Sequence, residues 1–102
     1  MDHSSLAAIA IPQFVAYRTR AFNTSANVAV RYAYTAAQSF FSVSPAGVVS
    51  VNILSVYGYN PDPNLILSVG GARLITNFTI QAVHNGGGSV FTIDQTGDVT
   101  RS

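Results

Sequence analysis

The chain has 102 residues, no cysteine and only 9% charged side chains, and its five basic and four acidic residues leave a formal net charge of +1. This length fits one domain with a modest core, and the lack of cysteine excludes disulfides, thiol chemistry and cysteine-based metal sites. A net charge this small supplies no long-range field to attract DNA or RNA, so we expect no nucleic-acid partner.

A single long helix is predicted for residues 6–42. The stretch contains no glycine and only one proline, Pro12, and it is rich in alanine. At about 100° per residue, one face carries a stripe predicted to form the core against a sheet: Phe22, Ala26, Ala29, Ala33, Ala36 and Phe40. The opposite face is polar: Arg20, Thr24, Asn27, Arg31, Thr35, Gln38 and Ser42.

Residues 43–64 are predicted to form a connecting loop. Ser44-Pro45-Ala46-Gly47 ends the helix with two helix breakers. The following segment, Val48 to Tyr57, is rich in β-branched residues but weakly periodic, which indicates a connection that could hold one short strand. Pro61 and Pro63 then make the end of the loop rigid.

Residues 65–102 are predicted to form a small antiparallel meander, with one face packed on the helix and the other exposed to solvent. A strand at 65–69 leads to a turn at Gly70-Gly71, and residues 74–84 form the longest strand. A further strand at 89–94, a turn at Gly97 and a short edge around Val99 complete the sheet. The inward residues are predicted to be Leu74, Phe78, Ile80, Ala82, Phe91 and Ile93. The predicted class is α+β, with one globular domain.

The helix is too long for this domain to cover. It would span roughly 55 Å, whereas a compact body of about 100 residues is about 30 to 35 Å wide. Residues 6–19 are therefore predicted to protrude and residues 20–42 to pack on the sheet. Because Leu6 to Tyr17 is apolar nearly all round, such a protruding helix needs a membrane or partner helices to cover it.

The string Leu6-Ala-Ala-Ile-Ala-Ile-Pro-Gln-Phe14, followed by Tyr17-Arg18 and Phe22-Asn23, resembles the second half of the N-terminal helix of bacterial type IV pilins. The resemblance implies a structural subunit of a pilus filament, which serves cell adhesion and motility, with a ladle-shaped fold. In that family a peptidase removes a leader, the new N-terminus is methylated, and an apolar half-helix holds the subunit in the inner membrane before assembly into the extracellular filament. The residues implied to contact neighbouring helices in the filament core are Leu6, Ile9, Ile11, Pro12, Phe14 and Tyr17.

Residues 1–5 match nothing in that family and are interpreted as a remnant of expression that replaces the membrane-spanning half. The family's glutamate near the mature N-terminus is absent with it. We therefore expect this form to be soluble and not to build native filaments. The partners implied for the full-length form are other copies of the subunit, the inner membrane and the pilus assembly machinery.

No enzyme is expected, because the chain lacks cysteine, lysine and glutamate and has only two histidines. His3 lies in the remnant, and His84 is predicted to have a surface or turn role. Accordingly, no catalytic residue and no cofactor are predicted. The eleven aromatic residues are interpreted as packing residues and not as a path for electrons.

Asp94-Gln95-Thr96-Gly97-Asp98 faintly resembles the start of a calcium loop. The same pattern is common in hairpin turns, which we favour, so Asp94 and Asp98 are only weak metal candidates. The distinction matters because the pseudopilins of type II secretion share the helix motif and bind calcium.

Three alternatives to a pilus subunit stay open. The first is a type II secretion pseudopilin, and the second is a minor pilin that acts as an adhesin or DNA receptor. The third is an unrelated secreted α+β binding domain whose N-terminal segment lies flat on membranes.

Overall fold

The fold is α+β, as predicted: one long helix packs on a four-stranded antiparallel sheet. The computed structural model describes the backbone of residues 3–102 and the side chains of residues 15–102. Its elements in chain order are α1 His3–Val43, α2 Val51–Val56, β1 Leu65–Leu74, β2 Asn77–His84, β3 Phe91–Asp94 and β4 Val99–Arg101.

The sheet is a simple meander with the order β1-β2-β3-β4. Ile80 at the centre of β2 pairs with Val69 of β1 and Ile93 of β3. Along β2, Phe78, Ile80 and Ala82 are buried, while the residues between them face away from the helix. This alternation is what a sheet with one covered face requires.

The core lies between α1 and the inner face of the sheet. Five members of the predicted helix stripe are buried: Ala26, Ala29, Ala33, Ala36 and Phe40. Small alanines allow the helix backbone to come close to the sheet, where Phe78, Ile80 and Phe91 fill the facing layer. The buried face of α1 is wider than predicted, because it also includes Val30, Ala37 and Phe41.

The predicted connecting loop contains a second helix, so the prediction for Val48 to Tyr57 was wrong. Ser50 is the N-cap of α2, with an extended backbone and a hydroxyl that accepts a hydrogen bond from the Ile53 N–H at 3.3 Å. Leu54 is fully buried against the core. Capping and burial together outweigh the preference of the Val-Ile-rich sequence for a strand.

The turn predicted at Gly70-Gly71 was also wrong. Both glycines lie within β1, and the chain reverses at Ile75-Thr76 instead. The register shifts between Gly70 and Leu74, where Gly71 has φ +72° and Arg73 has φ 61°. A bulge of this kind extends the strand while bending it, and it places the exposed Leu74 at the end of β1 instead of inward on β2.

Candidate functional site

The first candidate is the segment of α1 at residues 15–21, called here the uncovered end of α1. Every residue from 15 to 21 is exposed, including Val15 at 54% and Tyr17 at 67%. From residue 15 onward, the first half-buried residue is Phe22 and the first fully buried one is Ala26. The Cα positions extend over 66 × 22 × 15 Å, an elongated shape set by the 41-residue helix. The sheet therefore leaves residues 15–21 of α1 uncovered.

Phe22 closes the end of the core and does not lie inside it, which corrects its predicted place in the core stripe. Its ring stacks on the imidazole of His84, with centroids 3.9 Å apart and planes 13° from parallel. The guanidinium carbon of Arg18 lies 5.6 Å from the same ring, within the range of a cation–π contact. Arg18 and Phe22 thus line the boundary between the covered and the uncovered helix.

The loop between β2 and β3 is attached to α1 at this boundary. His84 Nδ1 accepts a hydrogen bond from the Gly86 N–H at 2.9 Å, which assigns the ring proton of a neutral imidazole to Nε2. Asn23, the residue after Phe22, accepts a hydrogen bond at Oδ1 from the Ser89 N–H at 2.8 Å, a partly buried contact across 66 residues of sequence. The first bond shapes the loop locally, and the second holds the loop against the helix.

Among the predicted assembly residues, Leu6, Ile9, Ile11, Pro12 and Phe14 lie outside the part of the chain whose side chains are described. Tyr17 is the one predicted assembly residue within it, and its ring is largely exposed.

The turn between β3 and β4 places Asp94 and Asp98 close together in a closed hydrogen-bond pattern. Asp94 Oδ1 accepts from the Thr96 hydroxyl, the Thr96 N–H at 2.9 Å and the Asp98 N–H at 3.1 Å. The Thr96 hydroxyl, followed by the backbone N–H groups, lowers the pKa of Asp94 below its ordinary value. Within residues 15–102 no group of three metal-ligating side chains converges.

A second candidate is a groove between α1 and the chain from Tyr57 to Leu65, defined here as the tyrosine groove. It consists of two adjoining depressions of about 330 and 350 Å³, and both are lined by Tyr32, Tyr59 and Asn60. Tyr32 on α1 is 67% exposed, whereas Tyr59 in the loop is buried and only 6% exposed. The sequence carries no signal for this groove, because its two walls are far apart in the chain.

No helix in the described part of the chain combines the length and the apolar character needed to cross a bilayer. No protein-family model matches this chain, and no curated protein matches it significantly.

Proposed function

We propose that this chain is a structural subunit of a type IV pilus filament, in which the uncovered end of α1 packs among the helices of neighbouring subunits. The observation that carries the proposal is the exposure of every side chain from residue 15 to residue 21 on a helix whose preceding residues are apolar in sequence. The pilin-like string in residues 6–23 supports the same assignment.

The geometry suits a subunit whose long helix packs in the core of a filament at one end and carries an outer domain at the other. A 41-residue helix is about 60 Å long at 1.5 Å per residue, and the core contacts begin only at Phe22. The exposed residues 15–21 are continuous with the packed part of the same helix. Burying their apolar side chains against the same residues of other copies would stabilise assembly by the ordinary hydrophobic effect.

The boundary at Phe22 supports this role, because an assembly helix has to be fixed to its domain. The His84–Phe22 stack and the Asn23–Ser89 hydrogen bond attach the loop at the edge of the core directly to α1. The uncovered end of α1 is therefore joined to the sheet through these contacts, with no flexible linker between the helix and the sheet.

The proposal is tested by joining a prepilin leader and an apolar half-helix with its glutamate to Leu6, and expressing the product in a piliated bacterium that lacks its own major pilin. Electron microscopy of the cell surface is expected to show filaments that contain the chain. A matched product with Val15→Asp and Tyr17→Asp is expected to give none, because it places charges in a helix bundle.

A control product with Gln38→Asp carries a new charge on the exposed face of the covered half of α1 and is expected to assemble. The proposal is contradicted if the unmodified product accumulates in the inner membrane and is processed, yet no filament contains it.

A further inference from the structure

We propose that the tyrosine groove binds a neutral saccharide, with the ring of Tyr32 against the sugar's apolar face and hydroxyl and amide groups of the groove on its hydroxyls. This inference goes beyond the proposed structural role, and it does not depend on assembly.

The shape of the groove is the first support. Its two depressions share Tyr32, Tyr59 and Asn60, so they adjoin one another, and each has a volume within the range of small-molecule sites. The walls are attached to the core, since α1 supplies one side and Tyr59 and Leu65 pack against the core on the other. A preformed groove lowers the entropic cost of binding.

The unused hydrogen-bonding groups are the second support. Thr19, Thr35 and Ser39 on α1 each donate their hydroxyl to a carbonyl one turn back, at 3.1 to 3.3 Å. Thr24 and Ser25, which line the groove, make no such bond to any described residue. Their hydroxyls stay available to a ligand, whereas the others are occupied by the helix.

The Tyr59 hydroxyl adds a donor from the opposite wall. No other described residue hydrogen-bonds it, although the side chain is buried. Since no buried side-chain oxygen within residues 15–102 lacks a partner, this hydroxyl is at least partly accessible, and Tyr59 lines both depressions. Burial, and then the negative charge of Asp62, raise the pKa of Tyr59, so the phenol stays protonated and able to donate.

Asp62 supplies acceptors at the rim. Its Oδ1 accepts from the Asn64 N–H at 2.8 Å, and Oδ2 has no partner among the described residues. A carboxylate with one free oxygen, an amide at Asn60 and three free hydroxyls suit a ligand rich in hydroxyl groups. No arginine lines either depression, so the groove favours neutral over acidic sugars.

Two of the groove's features distinguish a saccharide from a second copy of the chain. A helix docking there would bring apolar side chains against five polar groups and leave them unpaired, which is unfavourable. A saccharide pairs these groups and also covers the exposed Tyr32 ring.

The test is a nuclear magnetic resonance titration of the full chain with cellobiose, lactose, maltose, N,N′-diacetylchitobiose and 3′-sialyllactose, each up to about 50 mM, a range that detects millimolar affinity. We expect at least one neutral disaccharide to shift the backbone amides of Val28, Asn60 and Leu65 in a saturable way. Sialyllactose is expected to bind more weakly than lactose, because Asp62 repels its carboxylate.

Tyr32→Ala is the decisive variant and Tyr17→Ala its matched control, because both tyrosines lie on α1 and both are 67% exposed. Loss of Tyr32 should weaken binding at least about 10-fold, while Tyr17→Ala should leave the dissociation constant unchanged. Equal loss in both variants would overturn the proposal, as would the absence of saturable shifts with all five sugars. The proposal is also overturned if Tyr32→Ala reduces only self-association and no sugar binds, because a second copy would then occupy the groove.

Discussion

The imidazole of His84 lies parallel to the ring of Phe22 at a centroid distance of 3.9 Å, and this pair marks the point where the long helix leaves its domain. Residues 15–21, on the N-terminal side of Phe22, are exposed, and one turn beyond Phe22 the helix becomes buried at Ala26. The contact joins a helix residue to the last residue of β2 across the middle of the chain.

Phe22→Ala should lower the free energy of unfolding by about 2 kcal/mol, roughly half the cost of removing a fully buried phenylalanine. The reason is that Phe22 is only half-buried, and its removal also abolishes the stack on His84. Urea unfolding of both proteins measures the difference. Tyr17→Ala removes an exposed ring on the same helix and should change stability by less than about 0.5 kcal/mol. Equal effects of the two substitutions would contradict the placement of Phe22 at the edge of the core.

Ser50→Ala should destabilise the protein by about 1 kcal/mol, because it removes the side-chain acceptor of the Ile53 N–H at the start of α2. Ser55→Ala serves as the control, since the exposed Ser55 hydroxyl only bonds back to the Val51 carbonyl. Thermal unfolding of the three proteins provides the comparison. If Ser50→Ala were as stable as Ser55→Ala, α2 would not depend on this cap.

Asp94 should make the stability of the protein depend on pH in the acidic range. Its folded pKa is depressed below the ordinary value of 3.8, chiefly by the Thr96 hydroxyl, so the carboxylate stabilises the fold fully above that value. This contribution is lost as the pH falls from 3.8 through the depressed folded pKa. Asp94→Asn, which cannot ionise, should therefore be less stable than the unmodified protein at pH 7 and differ least from it at the lowest pH. A stability difference that does not change between pH 7 and pH 2 would show that the ionised carboxylate is not what matters.

Calcium should leave the melting temperature unchanged. The three hydrogen bonds to Asp94 Oδ1 come from the turn itself, and within residues 15–102 no set of three metal-ligating side chains converges. A ligand that binds the folded state raises its stability with concentration, so thermal unfolding with about 5 mM calcium or an equal amount of chelator is a sensitive assay. A rise with calcium that the chelator reverses would favour a calcium-binding pseudopilin.

The sequence was sufficient where a long periodic pattern determined the structure. The pattern of residues 22–40 predicted the helix and five of its buried residues. The alternation in the strands predicted the inner face of the sheet, with Phe78, Ile80 and Phe91. Val30, Ala37 and Phe41 were missed because sheet and α2 together cover a wider face of α1 than a sheet alone. A one-dimensional stripe cannot show how many elements pack on a helix.

The errors arose where tertiary contacts override local preference. Val51–Val56 has the composition of a strand, but burial of Leu54 and the Ser50 cap favour a helix. Gly70 and Gly71 suggested a turn, yet β1 continues through them because its pairing with β2 resumes at Leu74. The tyrosine groove had no signal in the sequence, since Tyr32 and Tyr59 meet only when the loop folds back on α1.

Sedimentation velocity from about 20 µM to about 1 mM, the range in which weak association becomes visible, tests most directly whether the uncovered end of α1 is an assembly surface. We expect the weight-average sedimentation coefficient of the unmodified chain to rise with concentration. The combined Val15→Asp and Tyr17→Asp variant should stay monomeric, and the Gln38→Asp control should associate like the unmodified chain. An unmodified chain that remains strictly monomeric at 1 mM, or one that associates equally well after the change at Val15 and Tyr17, would contradict the account.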